Sequence, residues 1–182
     1  MNNVQNFLSL TALVLFFACS ALKNNSINEP SKILANIDLI DIKDDKVQIS
    51  VSPSRVENDE IIFYIPQIVP GTYEYSNFGR FIENLKAFDK KGNLLPVESL
   101  DKNSWRIYKA KTLSKLTYMA NDTFDGPDGG NEIYPMGGTN FKENDTFLLN
   151  LHSMIGYFEG MKEIPYHLSI VSPKKLKSFT SL

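Results

Sequence analysis

From Ile33 onward, apolar and polar positions alternate with a period of two. Ile33, Ala35, Ile37 and Leu39 form one apolar series, interleaved with Leu34, Asn36, Asp38 and Ile40. Side chains on a strand alternate between faces, so this pattern predicts a strand with one buried face. Lys43-Asp44-Asp45-Lys46 reads as a turn, after which Val47, Ile49 and Val51 alternate with Gln48, Ser50 and Ser52. The pair predicts a hairpin. Glu60 to Pro66 is a denser apolar run, the pattern of a strand covered on both faces. Further strands are expected over Asn84–Asp89, Ser104–Ala110, Lys115–Asn121, Thr146–Leu151 and Tyr166–Val171. Lys90-Lys91-Gly92-Asn93 and Asp101-Lys102-Asn103 supply turn chemistry between them. No helical stripe extends over a dozen residues. Phe78, Ile82 and Leu85 allow a short helix within Asn77–Leu85, weakened by Gly79. Short strands joined by turns, without internal repeats, predict an all-β chain whose residues 32–174 form a β-sandwich-like domain.

The amino terminus carries a different pattern. Phe7 to Ala18 is an apolar run broken only by Ser9 and Thr11, too short to span a bilayer comfortably and suited to a signal-peptide core. Residues 1–18 are read as that signal. Ala18-Cys19-Ser20-Ala21 places the only cysteine where a bacterial lipoprotein is cleaved and lipidated, so Cys19 is the candidate lipid-attachment site. Phe16 stands where the lipoprotein pattern prefers Leu, and the leader lacks Lys and Arg. An ordinary cleaved signal and an uncleaved anchor or buried helix therefore remain as alternatives. The expected location is the periplasm or cell surface of a bacterium, with a lipid anchor to the membrane. Residues 19–31, polar and proline-containing, read as a tether.

Composition narrows the chemistry. Of 182 residues, 42% are hydrophobic, 12% aromatic and 22% charged, which excludes a disordered or fibrous chain. Nineteen basic against 21 acidic residues give a net charge of -2 and no reason to expect a nucleic-acid partner. Two histidines and one cysteine exclude a structural zinc site of several Cys and His, and a disulfide framework. Lipidation of Cys19 would also remove the only thiol.

Few motifs carry chemistry. Pro70-Gly71 bends the chain after an apolar run, and Arg80 and Glu83 follow three residues apart, where one helical turn would let them pair. This is either a structural corner with a surface ion pair or a place where Arg80 or Glu83 faces a substrate terminus. Asp122, Asp125, Asp128 and Glu132 lie in a glycine-rich stretch. It is an exposed loop or, in the alternative, a calcium site built on the three aspartates, although its spacing fits no known calcium loop. Gly137-Gly138 reads as a tight turn or as an edge that a peptide backbone could approach. His152 and His167 have no partner at metal-ligand spacing, and Ser153 beside His152 would point to the opposite face of a strand. Trp105 reads as a core residue. Tyr73, Tyr75, Trp105 and Tyr134 would instead form a ligand platform if the chain were a free-standing adhesion or ligand-binding module.

Several segments in order resemble a known family: Ile68-Val69-Pro70-Gly71-Thr72-Tyr73 leading into Phe78-Gly79-Arg80-Phe81-Ile82-Glu83-Asn84-Leu85-Lys86-Ala87-Phe88, then Asp101-Lys102-Asn103-Ser104-Trp105-Arg106-Ile107. Met136-Gly137-Gly138-Thr139-Asn140-Phe141 follows, and after it Leu148-Leu149-Asn150-Leu151-His152 with Gly156-Tyr157-Phe158-Glu159-Gly160-Met161. From about Ile33 to its end the chain resembles the amino-terminal domain of the glycyl aminopeptidase family, family sixty-one of the metallopeptidases. The resemblance implies a longer enzyme with a β-rich front domain, a thermolysin-like zinc domain and a PDZ domain, which removes amino-terminal glycine and other small residues from peptides. That family's zinc is held by a His-Glu-x-x-His helix. No His-Glu pair occurs in this chain, so no catalytic residue carries over and no cofactor is expected in it. The expectation is a non-catalytic front domain that packs beside the active site and shapes substrate access, with residues 175–182 as the start of the peptidase domain. Its partners would be that domain and the peptide substrate. Arg80, Glu83, Gly137 and Gly138 are the substrate-facing candidates. An exposed apolar patch and a tendency to associate are also expected.

Overall fold

The computed structural model describes residues 31–124, 133–143 and 145–181. Twelve strands are assigned: β1 Ile33–Lys43, β2 Lys46–Ser52, β3 Glu60–Tyr64, β4 Ile82–Asp89, β5 Leu94–Leu95, β6 Val97–Ser99, β7 Ser104–Tyr108, β8 Leu113–Asn121, β9 Asn140–Lys142, β10 Thr146–Leu148, β11 Tyr157–Phe158 and β12 Tyr166–Val171. They build a six-stranded sheet in the order β12-β1-β2-β8-β4-β5, a four-stranded sheet β11-β3-β7-β6, and the pair β10-β9. All pairings are antiparallel except β12 with β1.

The alternation in β1 and β2 has the expected consequence. Ile33, Ala35, Ile37, Leu39, Val47, Ile49 and Val51 are all buried. Asp44 and Asp45 both sit at φ 54°, the left-handed region that tight hairpins use and that aspartate tolerates. A bulge between Asp38 and Lys43 resets the phase, so Ile42 rather than Asp41 turns inward. The large sheets meet through aromatic rings. Phe63 of β3 lies 5.8 Å from Tyr118 of β8 and 5.1 Å from Phe158 of β11. Tyr118 is fully buried and donates its hydroxyl to the Met154 carbonyl at 2.9 Å, and burial pushes its pKa far up.

Four expectations are corrected. β3 is not covered on both faces: Ile61 and Phe63 are buried while Ile62 and Tyr64 are only half-buried. The Asn77–Leu85 helix reduces to a single 3-10 turn over Phe78–Phe81, because Ile82 already pairs with Ala120 and the chain is drawn into the sheet. The strand from Ser104 stops at Tyr108, since Lys109 takes φ 56° and a 3-10 turn follows at Ala110–Thr112. The strand from Thr146 stops at Leu148, and Leu151–Ser153 form another 3-10 turn. His152 and Ser153 are therefore not on a strand.

Candidate functional site

Two of the sequence-predicted residues, Arg80 and Glu83, lie at one end of the six-stranded sheet. Lys46 opens β2 and lies in register with Asn121, the last residue of β8. Glu83, second in β4, comes beside them. Its carboxylate accepts from Lys46 Nζ at 2.8 Å and from Asn121 Nδ2 at 3.0 Å. The same Asn121 amide donates to the Phe81 carbonyl at 3.0 Å. Arg80, at the end of the 3-10 turn, holds its guanidinium 4.7 Å from the centre of the Phe81 ring. The expected Arg80–Glu83 pair does not form, because the strand start at Ile82 turns Glu83 toward Lys46.

The hydrogen bonds from Lys46 and Asn121 and the Lys46 charge together hold the Glu83 carboxyl below its ordinary value. A lowered folded-state pKa adds stability above the ordinary carboxylate range, and this is lost as pH falls through the lowered value. Glu83 is 38% exposed and Lys46 31%, so solvent screening limits the pair to about 0.2–1 kcal/mol. Glu83→Gln is expected to cost that amount at pH 7 and progressively less at a pH below the ordinary carboxylate range. Urea unfolding at the two pH values measures the difference, and an equal cost at both would dismiss the ion pair.

Gly137 and Gly138 are buried rather than presented at an edge. The Gly137 carbonyl accepts from His152 Nε2 at 2.9 Å, and the His152 ring meets Phe78 edge-on at 5.5 Å. A methyl on Gly138 would lie 2.4 Å from Thr123 Oγ1 and 2.9 Å from the Phe124 ring. Asn150 Nδ2 donates to the carbonyls of Met136 and Gly138. The two glycines thus bring this segment against the chain that follows β8. Ser153 Oγ donates to the Asn150 carbonyl at 2.7 Å, and its partner is backbone, not His152.

Asp122 is 1% exposed, and both its oxygens are engaged at 2.6 Å, Oδ1 by the Phe124 amide and Oδ2 by the Phe141 amide. Asp125 and Asp128 lie outside the described residues, as does Cys19. Among the described residues no group of three or more His, Cys, Asp or Glu is placed to hold a metal ion. His167 is exposed on β12, beside Leu34.

Trp105 lies opposite Phe63 on the core side of β7 and packs against the core, while Tyr73, Tyr75 and Tyr134 are 96%, 71% and 50% exposed. The four do not share one environment. A groove of about 500 Å³ runs elsewhere, lined by Pro66, Gln67, Ile68, Tyr157, Lys162 and Tyr166. Tyr157 stacks on Tyr64 at 5.3 Å, and Lys162 sits 5.0 Å from the Tyr157 ring centre.

Sequence reasoning missed a polar knot under the corner. Asn103, 9% exposed, accepts from the Gly79 amide at 3.0 Å and donates to Asn77 Oδ1 at 3.0 Å. Its own carbonyl accepts from Ile65 at 2.9 Å. Asn77 adopts a left-handed conformation at φ 50° and also accepts from Gln67 at 3.2 Å. The signal was present in the Asp-Lys-Asn turn, which reads equally well as plain turn chemistry.

The peptidase M61 N-terminal domain description matches residues 35–182. The chain belongs to that family. It is therefore built as an N-terminal domain of a peptidase, as the ordered motifs from Ile68 to Met161 implied. No curated protein matches the chain. Among solved structures it is similar to an aminopeptidase N family protein from Idiomarina loihiensis, with 23% identity and a TM-score of 0.64. That match covers 78% of this chain and 22% of the other, so the chain spans about a fifth of the relative's length. At this identity the likeness is one of fold.

Proposed function

We propose that this chain is the front domain of an exported zinc aminopeptidase resembling glycyl aminopeptidase, and that it narrows the approach to an active site carried by a separate peptidase domain. The observation that supports this reading is the family match, which runs through the whole β unit from residue 35. The domain supplies no zinc ligands, and its part is to shape the path of a peptide toward a free amino terminus. Glu83, held ionised by Lys46 and still 38% exposed, is the carboxylate suited to an ammonium group. Arg80 flanks it on the same corner. The chain reaches the periplasm or cell surface through its leader and is held at the membrane by lipid on Cys19.

Two measurements test the parts separately. Cells fed labelled palmitate should lipidate the chain, and Cys19→Ser should abolish the label and release the protein from membranes; equal labelling of the variant overturns the anchor. With the chain joined to a family peptidase domain, Glu83→Gln should raise KM for a glycyl anilide at unchanged kcat. Identical kinetics remove Glu83 from the substrate path.

A further inference from the structure

We propose that two copies of this chain pair edge to edge through β12, antiparallel and two-fold symmetric about Leu168, joining their six-stranded sheets. Among the described residues, β12 ends its sheet and pairs on one side only, with β1. Its residues Tyr166, Leu168 and Ile170 lie in register with Ile33, Ala35 and Ile37, whose side chains are 0%, 3% and 0% exposed. Yet Tyr166 and Ile170 remain 37% and 44% exposed. The apolar face of the sheet continues onto its last strand, where the layer formed by the described residues has stopped.

Natural edge strands are protected by charge, proline or a bulge. Tyr166-His167-Leu168-Ser169-Ile170-Val171 has no Asp, Glu, Lys, Arg or Pro, and its pairing with β1 runs without a register shift. An unguarded edge of this kind is a template for another strand.

The strand's own sequence favours a second copy as that partner. In an antiparallel pair, opposed residues share a face. A two-fold axis at Leu168 sets Tyr166 against the other copy's Ile170, apolar on apolar, and His167 against its Ser169, polar on polar. No charge opposes a like charge within the strand. The groove lined by Pro66, Ile68, Tyr157 and Tyr166 borders the end of β12 at which the other copy's Ile170 arrives. This pairing does not depend on the peptidase reading, since it uses only the edge itself.

Directly opposed residues in an antiparallel pair have Cα atoms about 4.5–5.5 Å apart, within the roughly 4.4–6.8 Å that a disulfide spans. The test is mild oxidation of the full chain in membranes carrying Leu168→Cys, with Leu94→Cys, on an exposed strand elsewhere, as reference. A covalent dimer is expected from Leu168→Cys and not from Leu94→Cys. Co-expressed chains carrying His167→Cys and Ser169→Cys should cross-link as a mixed dimer, and both positions are exposed, so folding is not at risk. Adding Ile170→Lys should lower either yield by about fivefold or more, since an edge lysine blocks strand pairing. Equal cross-linking at positions 94 and 168, absence of the mixed dimer, or cross-links at β12 only to other proteins would each overturn the proposal.

Discussion

Replacing Gly79 by alanine is expected to destabilise the chain by about 3–5 kcal/mol, combining an overpacked contact with buried hydrogen bonds that can no longer close. Gly79 is needed for space, not for backbone freedom. A Cβ there would sit 2.0 Å from the Lys102 carbonyl oxygen and 2.7 Å from the Asn103 Cα. Both obstacles are backbone, so no rotamer change relieves the clash. The corner must back away from the Asp101–Asn103 turn by more than an ångström, roughly the shortfall from ordinary van der Waals contact. Moving it breaks the bond from the Gly79 amide to Asn103 and strains the links from Asn103 to Asn77 and to Ile65. With an m-value of about 2 kcal/mol per molar, the urea midpoint should fall by about 2 M. The only tryptophan, Trp105, lies half-buried two residues from Asn103 and reports the transition by fluorescence. Gly92→Ala is the reference. It sits at φ 82° with nothing within 4 Å, so it carries only the left-handed penalty of about 1–2 kcal/mol. If Gly79→Ala cost no more than Gly92→Ala, the corner would not be the rigid joint described here. Adding Asn103→Ala to Gly79→Ala should cost little further, because both changes disable one joint.

The same corner explains why the fold was legible and the site was not. Alternation marks strands because one face is buried along the strand; β2 obeys it throughout, β1 as far as its bulge, and β8 over Leu116–Ala120. The pattern gives no warning where a strand loses its cover. β12 has the composition of a buried strand and is mostly exposed. At Asn77–Leu85 the helical spacing of Phe78, Ile82 and Leu85 was real, but pairing of Ile82 with Ala120 outweighed a weak local preference. Arg80 and Glu83 were singled out by a three-residue spacing that matters only on a helix. Once the chain became a strand, the partner of Glu83 was Lys46, 37 residues away and invisible to any local rule. Gly137-Gly138 shows the converse. Sequence identified a place of close approach, and the approaching groups are Thr123 and Phe124 of the same chain. The ordered motifs still led to the right family, because a set of corners and turns records a whole domain where each alone records one bend.

Asp122→Asn, which changes no volume, is expected to destabilise the chain by about 2–4 kcal/mol through lost charge-assisted bonds to buried amides. Asp122 follows the last residue of β8 and acts as a clasp. Oδ1 holds the amide of Phe124 next along the chain, and Oδ2 holds that of Phe141 in β9. Its own amide donates to the Asp45 carbonyl in the first hairpin turn at 3.1 Å. Thr123 continues the joint, its hydroxyl donating to the Thr139 carbonyl at 3.0 Å and accepting from the Thr139 amide at 2.9 Å. One carboxylate thereby fixes where the chain leaves the sheet and where β9 returns. Asparagine keeps one acceptor oxygen but turns an N–H donor toward the other backbone N–H, leaving a buried donor unsatisfied. A side chain this deeply buried has no water to substitute. If the two amides alone close the clasp, the fall in urea midpoint should be the same with added calcium and with chelator. If calcium instead raised the midpoint of the unsubstituted chain, and Asp122→Asn abolished that rise, the carboxylate would be a ligand and the clasp an incidental arrangement. Asp122→Ala should cost at least as much as Asp122→Asn, because both amides then lose their acceptor.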